Sequence, residues 1–130
     1  MFKKIIYIFF IFLFLSSFAK NSKAHKFFEK DYQKYWCDCH NGTIEYTLPD
    51  KTRVDCVIEN YAIEFDFAPK WAEAIGQALY YSLILKKSPA VVLICENYKK
   101  DCKYIDRIKV VCKKYGITLW FITPEDLNKN

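Results

Sequence analysis

The stretch Arg53–Tyr81, RVDCVIENYAIEFDFAPKWAEAIGQALYY, decides how this chain folds. Arg53–Ile58 reads as a strand, Glu59-Asn60 as a turn, and Tyr61–Phe67 as the returning strand. Pro69 suits a first helical turn, and Trp71, Ile75, Ala78, Leu79 and Leu83 then recur at helical spacing, which predicts a helix over 70–86. Side chains alternate faces along a strand. Glu64 and Asp66 therefore share one face of their strand, opposite Ile63, Phe65 and Phe67, and Asp55 faces away from Val54 and Cys56. On the helix, Gln77 and Tyr81 are one turn apart and occupy one face.

Working outward, Ile44–Leu48 alternates as a strand that Pro49-Asp50 turns back. After Ser88-Pro89, the apolar run Ala90–Cys95 has the composition of a buried central strand. Lys99–Tyr115 reads as a second helix closed by Gly116, and Ile117–Thr123 as the last strand. The order β-β-β-α-β-α-β predicts an α/β fold, a mixed sheet flanked by helices, over residues 44–130. Residues 20–43 read as an N-terminal extension, with a short helix before Tyr35 and a loop over Trp36–Gly42.

Residues 1–19 read as a secretory signal peptide. Lys3 and Lys4 precede an unbroken apolar run, Ile5–Leu15, and Ser17-Phe18-Ala19 fits a cleavage site. The run falls short of the about 20 residues that a membrane span needs. Ser22-Lys23-Ala24 offers a second cut, after Ala24. The expected location is exported, periplasmic or secreted, with no membrane contact after cleavage. The formal charge of the whole chain is +5, and removing Lys3 and Lys4 with the signal leaves +3. A cut after Ala24 also removes Lys20 and Lys23 and leaves +1. Net charge alone therefore gives no argument for nucleic acid.

All six cysteines, Cys37, Cys39, Cys56, Cys95, Cys102 and Cys112, follow the signal, and an even count in an exported domain suggests disulfides. Cys102 and Cys112 lie about 15 Å apart on one helix, too far to bond. Cys95 and Cys102 could meet, and Cys56 reads as a small core residue in mid-strand. Cys37-Asp38-Cys39-His40 lacks the second ligand pair of a structural zinc site.

Crowded carboxylates repel and raise each other's pKa, and a bound cation relieves this. Oxygen ligands such as Asp55, Glu64 and Asp66 favour Mg²⁺ or Mn²⁺, which activates water and stabilises charge on a phosphate. Gln77 and Tyr81 would face the same place from the helix. The plain alternative is a solvated acidic sheet face.

Residues 44–95 resemble the core of the PD-(D/E)XK nuclease superfamily. In that fold an Asp lies on the second core strand, an acid-x-Lys pair on the third, and a helix follows. Arg53-Val54-Asp55 is similar to the first element, and Ile63-Glu64-Phe65-Asp66 to the second, with Asp66 where Lys is usual. Gln77-Ala78-Leu79-Tyr80-Tyr81 resembles the Gln-x-x-x-Tyr motif of the exonuclease-like branch. The string Asp66–Tyr81 is also similar to small bacterial members of the superfamily. The resemblance implies a restriction-endonuclease-like core and a metal-dependent endo- or exonuclease that hydrolyses DNA phosphodiester bonds. Asp55 and Glu64 would hold Mg²⁺ or Mn²⁺, and Asp66 would add a ligand or tune the site. Gln77 and Tyr81 would orient the attacking water or a DNA phosphate. Lys70, which opens the helix, would replace the missing lysine, and Glu45 is a further possible ligand.

The helix from Lys99 carries Lys99, Lys100, Lys103, Arg107, Lys109, Lys113 and Lys114 and reads first as a solvated outer face, second as a phosphate-contacting surface. Both histidines, His25 and His40, lie in the N-terminal part, so a Ser-His-Asp or Cys-His triad is not expected, and no Gly-rich phosphate loop occurs. The competing functional class is a nuclease-like fold without catalysis, a binding or structural module of the cell envelope.

Overall fold

A computed structural model describes residues 24–129. The signal-peptide reading of residues 1–19 lies outside the described residues. The chain forms helix α1 (Glu29–Cys39), strands β1 (Thr43–Thr47), β2 (Arg53–Val57) and β3 (Tyr61–Phe67), and helix α2 (Trp71–Leu85). Strand β4 (Ser88–Ile94), helix α3 (Tyr98–Tyr115), strand β5 (Thr118–Ile122) and the short helix α4 (Pro124–Leu127) follow. The five strands make one sheet in the order β1-β2-β3-β4-β5. β1, β2 and β3 pair antiparallel, while β3, β4 and β5 run parallel. The fold is therefore α/β with a mixed sheet flanked by helices, and β3 is its centre.

Each parallel step needs a crossover, and α2 and α3 supply the two. Both pack on one sheet face, where Ala74, Ile75, Ala78, Ile105 and Ile108 meet Val91 and Leu93. The opposite face is covered by α1 through Tyr32, Trp36 and Cys37, against Cys56, Ile63, Phe65, Val92 and Ile122. β4 is buried on both faces between two parallel neighbours, as its continuous apolar run requires. α3 is closed by Asn97, whose side chain accepts from the Lys100 N–H, and by Gly116 in the left-handed region at φ 67°.

Three readings are corrected. Trp36–Gly42 is not a loop throughout, because α1 continues to Cys39. Tyr32, Trp36 and Cys37 recur on one helical face and enter the core, and burial of that stripe carries the helix past the expected boundary. Cys56 is not merely a small core residue but is bonded to Cys37, with Cα atoms 6.0 Å apart. Cys95 and Cys102 do not meet; both are free, as are Cys39 and Cys112. Among the described residues no helix is long and apolar enough to cross a membrane.

β2 is interrupted at Asp55 on both sides. Its pairing with β3 is confined to Cys56↔Ile63 and Val57↔Ala62. Its pairing with β1 includes Ile44↔Cys56 and Tyr46↔Val54 but omits Glu45 opposite Asp55. Glu45 there adopts φ 53°, a left-handed conformation that a side chain other than Gly occupies at a cost of about 1–3 kcal/mol. The strands fork at this point.

Candidate functional site

Where the ladder ends, Asp55 takes over its work: its Oδ2 accepts from the Phe65 backbone N–H at 2.8 Å. This side chain-to-backbone bond satisfies a donor that pairing no longer serves. Asp55 and Glu64 are neighbouring carboxyls, and each shifts the ionisation of the other. Glu64 is 5% exposed, and its Oε2 is buried with no hydrogen-bond partner among the described residues. Burial pushes both carboxyls above the usual carboxylate range, and the neighbouring acid raises Glu64 further. An orphaned, buried carboxylate oxygen beside a second carboxylate is the arrangement that a cation would satisfy.

Asp66 lies one pleat beyond Glu64 on the same face of β3 and is 3% exposed. Its Oδ1 accepts from the Phe67 N–H at 2.9 Å and lies 3.8 Å from Lys70 Nζ. Burial pushes Asp66 up to about 7, against the opposing pull of Lys70. Lys70 ends a 3₁₀ turn, Ala68–Lys70, that carries the chain from β3 into α2. Its side chain is 58% exposed, so the ammonium reaches over the acids from solvent.

From α2, Gln77 Nε2 donates to Tyr81 Oη at 3.4 Å. Tyr81 is 5% exposed and packs with Leu48, Val54 and Ala62. Burial raises its phenol, and the charges of Glu64 and Asp55 push in the same direction. The helix spacing places the two groups one turn apart on the same face of α2.

The acids do not gather as one three-carboxylate set. Among the described residues no three His, Cys, Asp or Glu side chains are arranged to share a single cation. Asp55 and Glu64 form the close pair, and Asp66 is turned toward Lys70. Glu64 and Asp66 lie on β3, the central strand of the sheet. Glu45 is drawn away by Arg53, whose guanidinium lies 2.9 Å from Glu45 Oε2. His40 places Nδ1 2.7 Å from the Trp36 carbonyl and stacks on its ring, which is a packing role.

No motif or spacing in the chain points to Glu29. It opens α1, accepts from Gln33 Nε2 at 3.3 Å, and stands within hydrogen-bonding reach of Asp66. Burial raises its pKa, Asp55 adds to the rise, and Lys70 opposes it. It precedes the whole sheet, and no spacing ties it to the strands; the one available signal was the Tyr32/Trp36 stripe, which predicts that α1 packs on the sheet. Glu73, in the first turn of α2, is a further acid in the same field.

No family model, no curated protein and no solved structure matches this chain.

Proposed function

We propose that the protein is an exported metal-dependent nuclease that hydrolyses DNA phosphodiester bonds, built on a restriction-endonuclease-like core. The observation that carries this reading is the Asp55–Glu64 pair at the strand fork, with Glu64 Oε2 buried and unpartnered. The pair fits a divalent cation of the Mg²⁺ or Mn²⁺ type, because carboxylate oxygens are its preferred ligands and its charge would relieve their repulsion. Such a cation, when bound, supplies a water made acidic enough to attack and a positive charge beside the scissile phosphate.

The chain's own groups divide the remaining work. Asp55 and Glu64 hold the cation. Asp66, tied to Lys70, sets the position of an ammonium that reaches the phosphate from solvent, replacing the lysine that usually occupies the Asp66 position. Tyr81 and Gln77 orient the water or a phosphate oxygen from the helix side. A general base is already present in the pair once Glu64 gives up its proton.

The test is cleavage of plasmid and single-stranded DNA by the purified protein with Mg²⁺ or Mn²⁺ and with chelator, beside Asp55→Asn and Glu64→Gln. Cation-dependent cleavage lost in both folded variants supports the reading; equal cleavage by the variants overturns it. The second reading, a non-catalytic module, draws on the raised Glu64. A protonated Glu64 bonded to Asp55 is a self-sufficient pair, and that reading expects no cation binding by calorimetry.

A further inference from the structure

A separate cleft of about 580 Å³ opens across the C-terminal ends of β3 and β4. On one side lie His25 and Lys26 with Phe67; on the other lie Lys99, Lys100 and Lys103 of α3 with Tyr104. Pro69 also lines it, so the cleft begins one residue from Lys70 and the acid site. The ends of parallel strands are where open α/β sheets form ligand crevices, and the volume falls within the range of small-molecule sites.

Its walls differ in character. The His25 ring is stacked on Phe67, with centroids 3.5 Å apart. It is held there by Glu96, whose Oε2 lies 2.9 Å from Nδ1. Glu96 Oε1 accepts from the Lys26 N–H at 2.8 Å and from the Tyr32 hydroxyl at 2.9 Å. The other acid of the lining, Asp101, is 8% exposed and accepts from the Asn97 N–H. Both carboxylates are thus engaged. Among the described residues Lys99, Lys100 and Lys103 have no ion-pair partner. Lys103 Nζ sits 4.9 Å from the Tyr104 ring centre. The cleft therefore presents free cations on one wall and a flat aromatic surface on the other.

We propose that this cleft holds a nucleotide unit of a single strand, its phosphates on Lys99, Lys100 and Lys103 and its base against the His25–Phe67 stack. Every base has a π-face and every nucleotide a phosphate, so such a surface binds strands with little sequence preference. The inference rests on the nuclease reading for its partner, because the strand leaving the cleft past Pro69 reaches Lys70 and the acid pair. It also places the N-terminal half of the lysine-rich helix in a phosphate-contacting role, where the sequence favoured a solvated face.

The experiment measures fluorescence anisotropy of a short labelled oligothymidylate in chelator with the purified protein, the surface control Lys113→Glu, His25→Ala and the double variant Lys99→Glu/Lys103→Glu. Lys113 is exposed on the same helix and outside the cleft lining, so the wild type and Lys113→Glu are expected to bind equally. His25→Ala and the lysine variant are each expected to bind about tenfold more weakly, the latter with a shallower salt dependence. The lysines are solvent-facing, so the double variant keeps its fold, which circular dichroism checks. Wild-type affinity in the lysine variant overturns the cleft, even if Mg²⁺-dependent cleavage is found. Equal, cleft-dependent binding by a protein that cleaves nothing leaves the cleft in place and removes the nuclease reading.

Discussion

Asp55 Oδ2 accepts the Phe65 backbone N–H at 2.8 Å where β2 and β3 have ceased to pair. One carboxylate therefore has two tasks, closing a broken ladder and facing Glu64, and the two can be separated by substitution. Asp55→Asn keeps an acceptor for Phe65 and removes the charge, and we expect its stability at about pH 4, where the wild-type carboxyl carries little cost of charge burial, to lie within about 1 kcal/mol of the wild type. Asp55→Ala leaves a buried N–H without a partner and should lose about 1–3 kcal/mol in denaturant unfolding. Both should cleave DNA at least about a hundredfold more slowly if the charge holds a cation. Full activity in the Asn variant would rule out Asp55 as a ligand.

The acids also predict how stability varies with pH. Asp55, Glu64 and Asp66 all lie above the ordinary carboxylate range, because burial penalises their charged forms, and Asp66 titrates at about 7. In the unfolded chain such groups ionise near about pH 4. Between those values the folded protein keeps protons that the unfolded chain has released. The stability they contribute is complete below about pH 4 and declines as pH rises through the folded values, by about 1.4 kcal/mol per unit for each group still protonated. In chelator, the thermal midpoint should fall between about pH 5 and about pH 8. Asp66→Asn should flatten the part of the fall that ends near neutrality, and a wild-type profile that rises over this range would contradict the assignment.

Glu64→Gln extends the same argument to the metal. Glutamine has nearly the shape of the acid and no charge to bury, so the variant should be more stable than the wild type in chelator at about pH 8. Added Mg²⁺ should raise the wild-type midpoint more at about pH 8 than at about pH 5, because ligands must be deprotonated. The variant's midpoint should not respond. A cation response of equal size in wild type and variant would place any metal elsewhere.

The fork explains what the sequence showed and what it hid. Alternation along Tyr61–Phe67 placed Glu64 and Asp66 on one face, and helical spacing placed Gln77 and Tyr81 together, because both are local periodicities fixed by backbone geometry. The strand order followed from short connections and crossover helices, which leave few alternatives. Other features depended on contacts between segments distant in sequence. The Cys37–Cys56 bond, the approach of Glu29 to Asp66 and the His25–Glu96 pair all join the N-terminal segment to the sheet. Nothing local to Glu29 or His25 marks the partner. The pairing gaps at Asp55 were equally invisible, since they arise where Glu45 leaves the extended conformation.

Lys70 gives a prediction independent of stability. It is 58% exposed and its ion pair to Asp66 is 3.8 Å long, so Lys70→Ala should leave unfolding within about 0.5 kcal/mol of the wild type. Cleavage should fall about tenfold to a hundredfold, with Lys70→Arg recovering part of the loss, because the role is to present positive charge to a phosphate. Unchanged kcat/KM in Lys70→Ala would remove Lys70 from the site.

The disulfide ties the two halves of the site together. Cys37 lies on α1, the helix that Glu29 opens, and Cys56 follows Asp55 on β2. Closing the loop between them contributes about 3 kcal/mol in the chain-entropy model, and reduction or Cys37→Ser/Cys56→Ser should lower unfolding stability by that order. Gly42 is the residue that lets the bond fit: a Cβ there would stand 2.5 Å from Cys37 Sγ and 2.6 Å from Cys56 Sγ. Gly42→Ala must therefore displace either the sulfurs or the turn between α1 and β1. It should destabilise the oxidised protein more than the reduced one, because free thiols can rotate away from the added methyl. Unfolding curves of Gly42→Ala and wild type, each with and without reductant, give the four stabilities needed. A penalty of the same size in both redox states would mean that the methyl strains the turn itself rather than the bond.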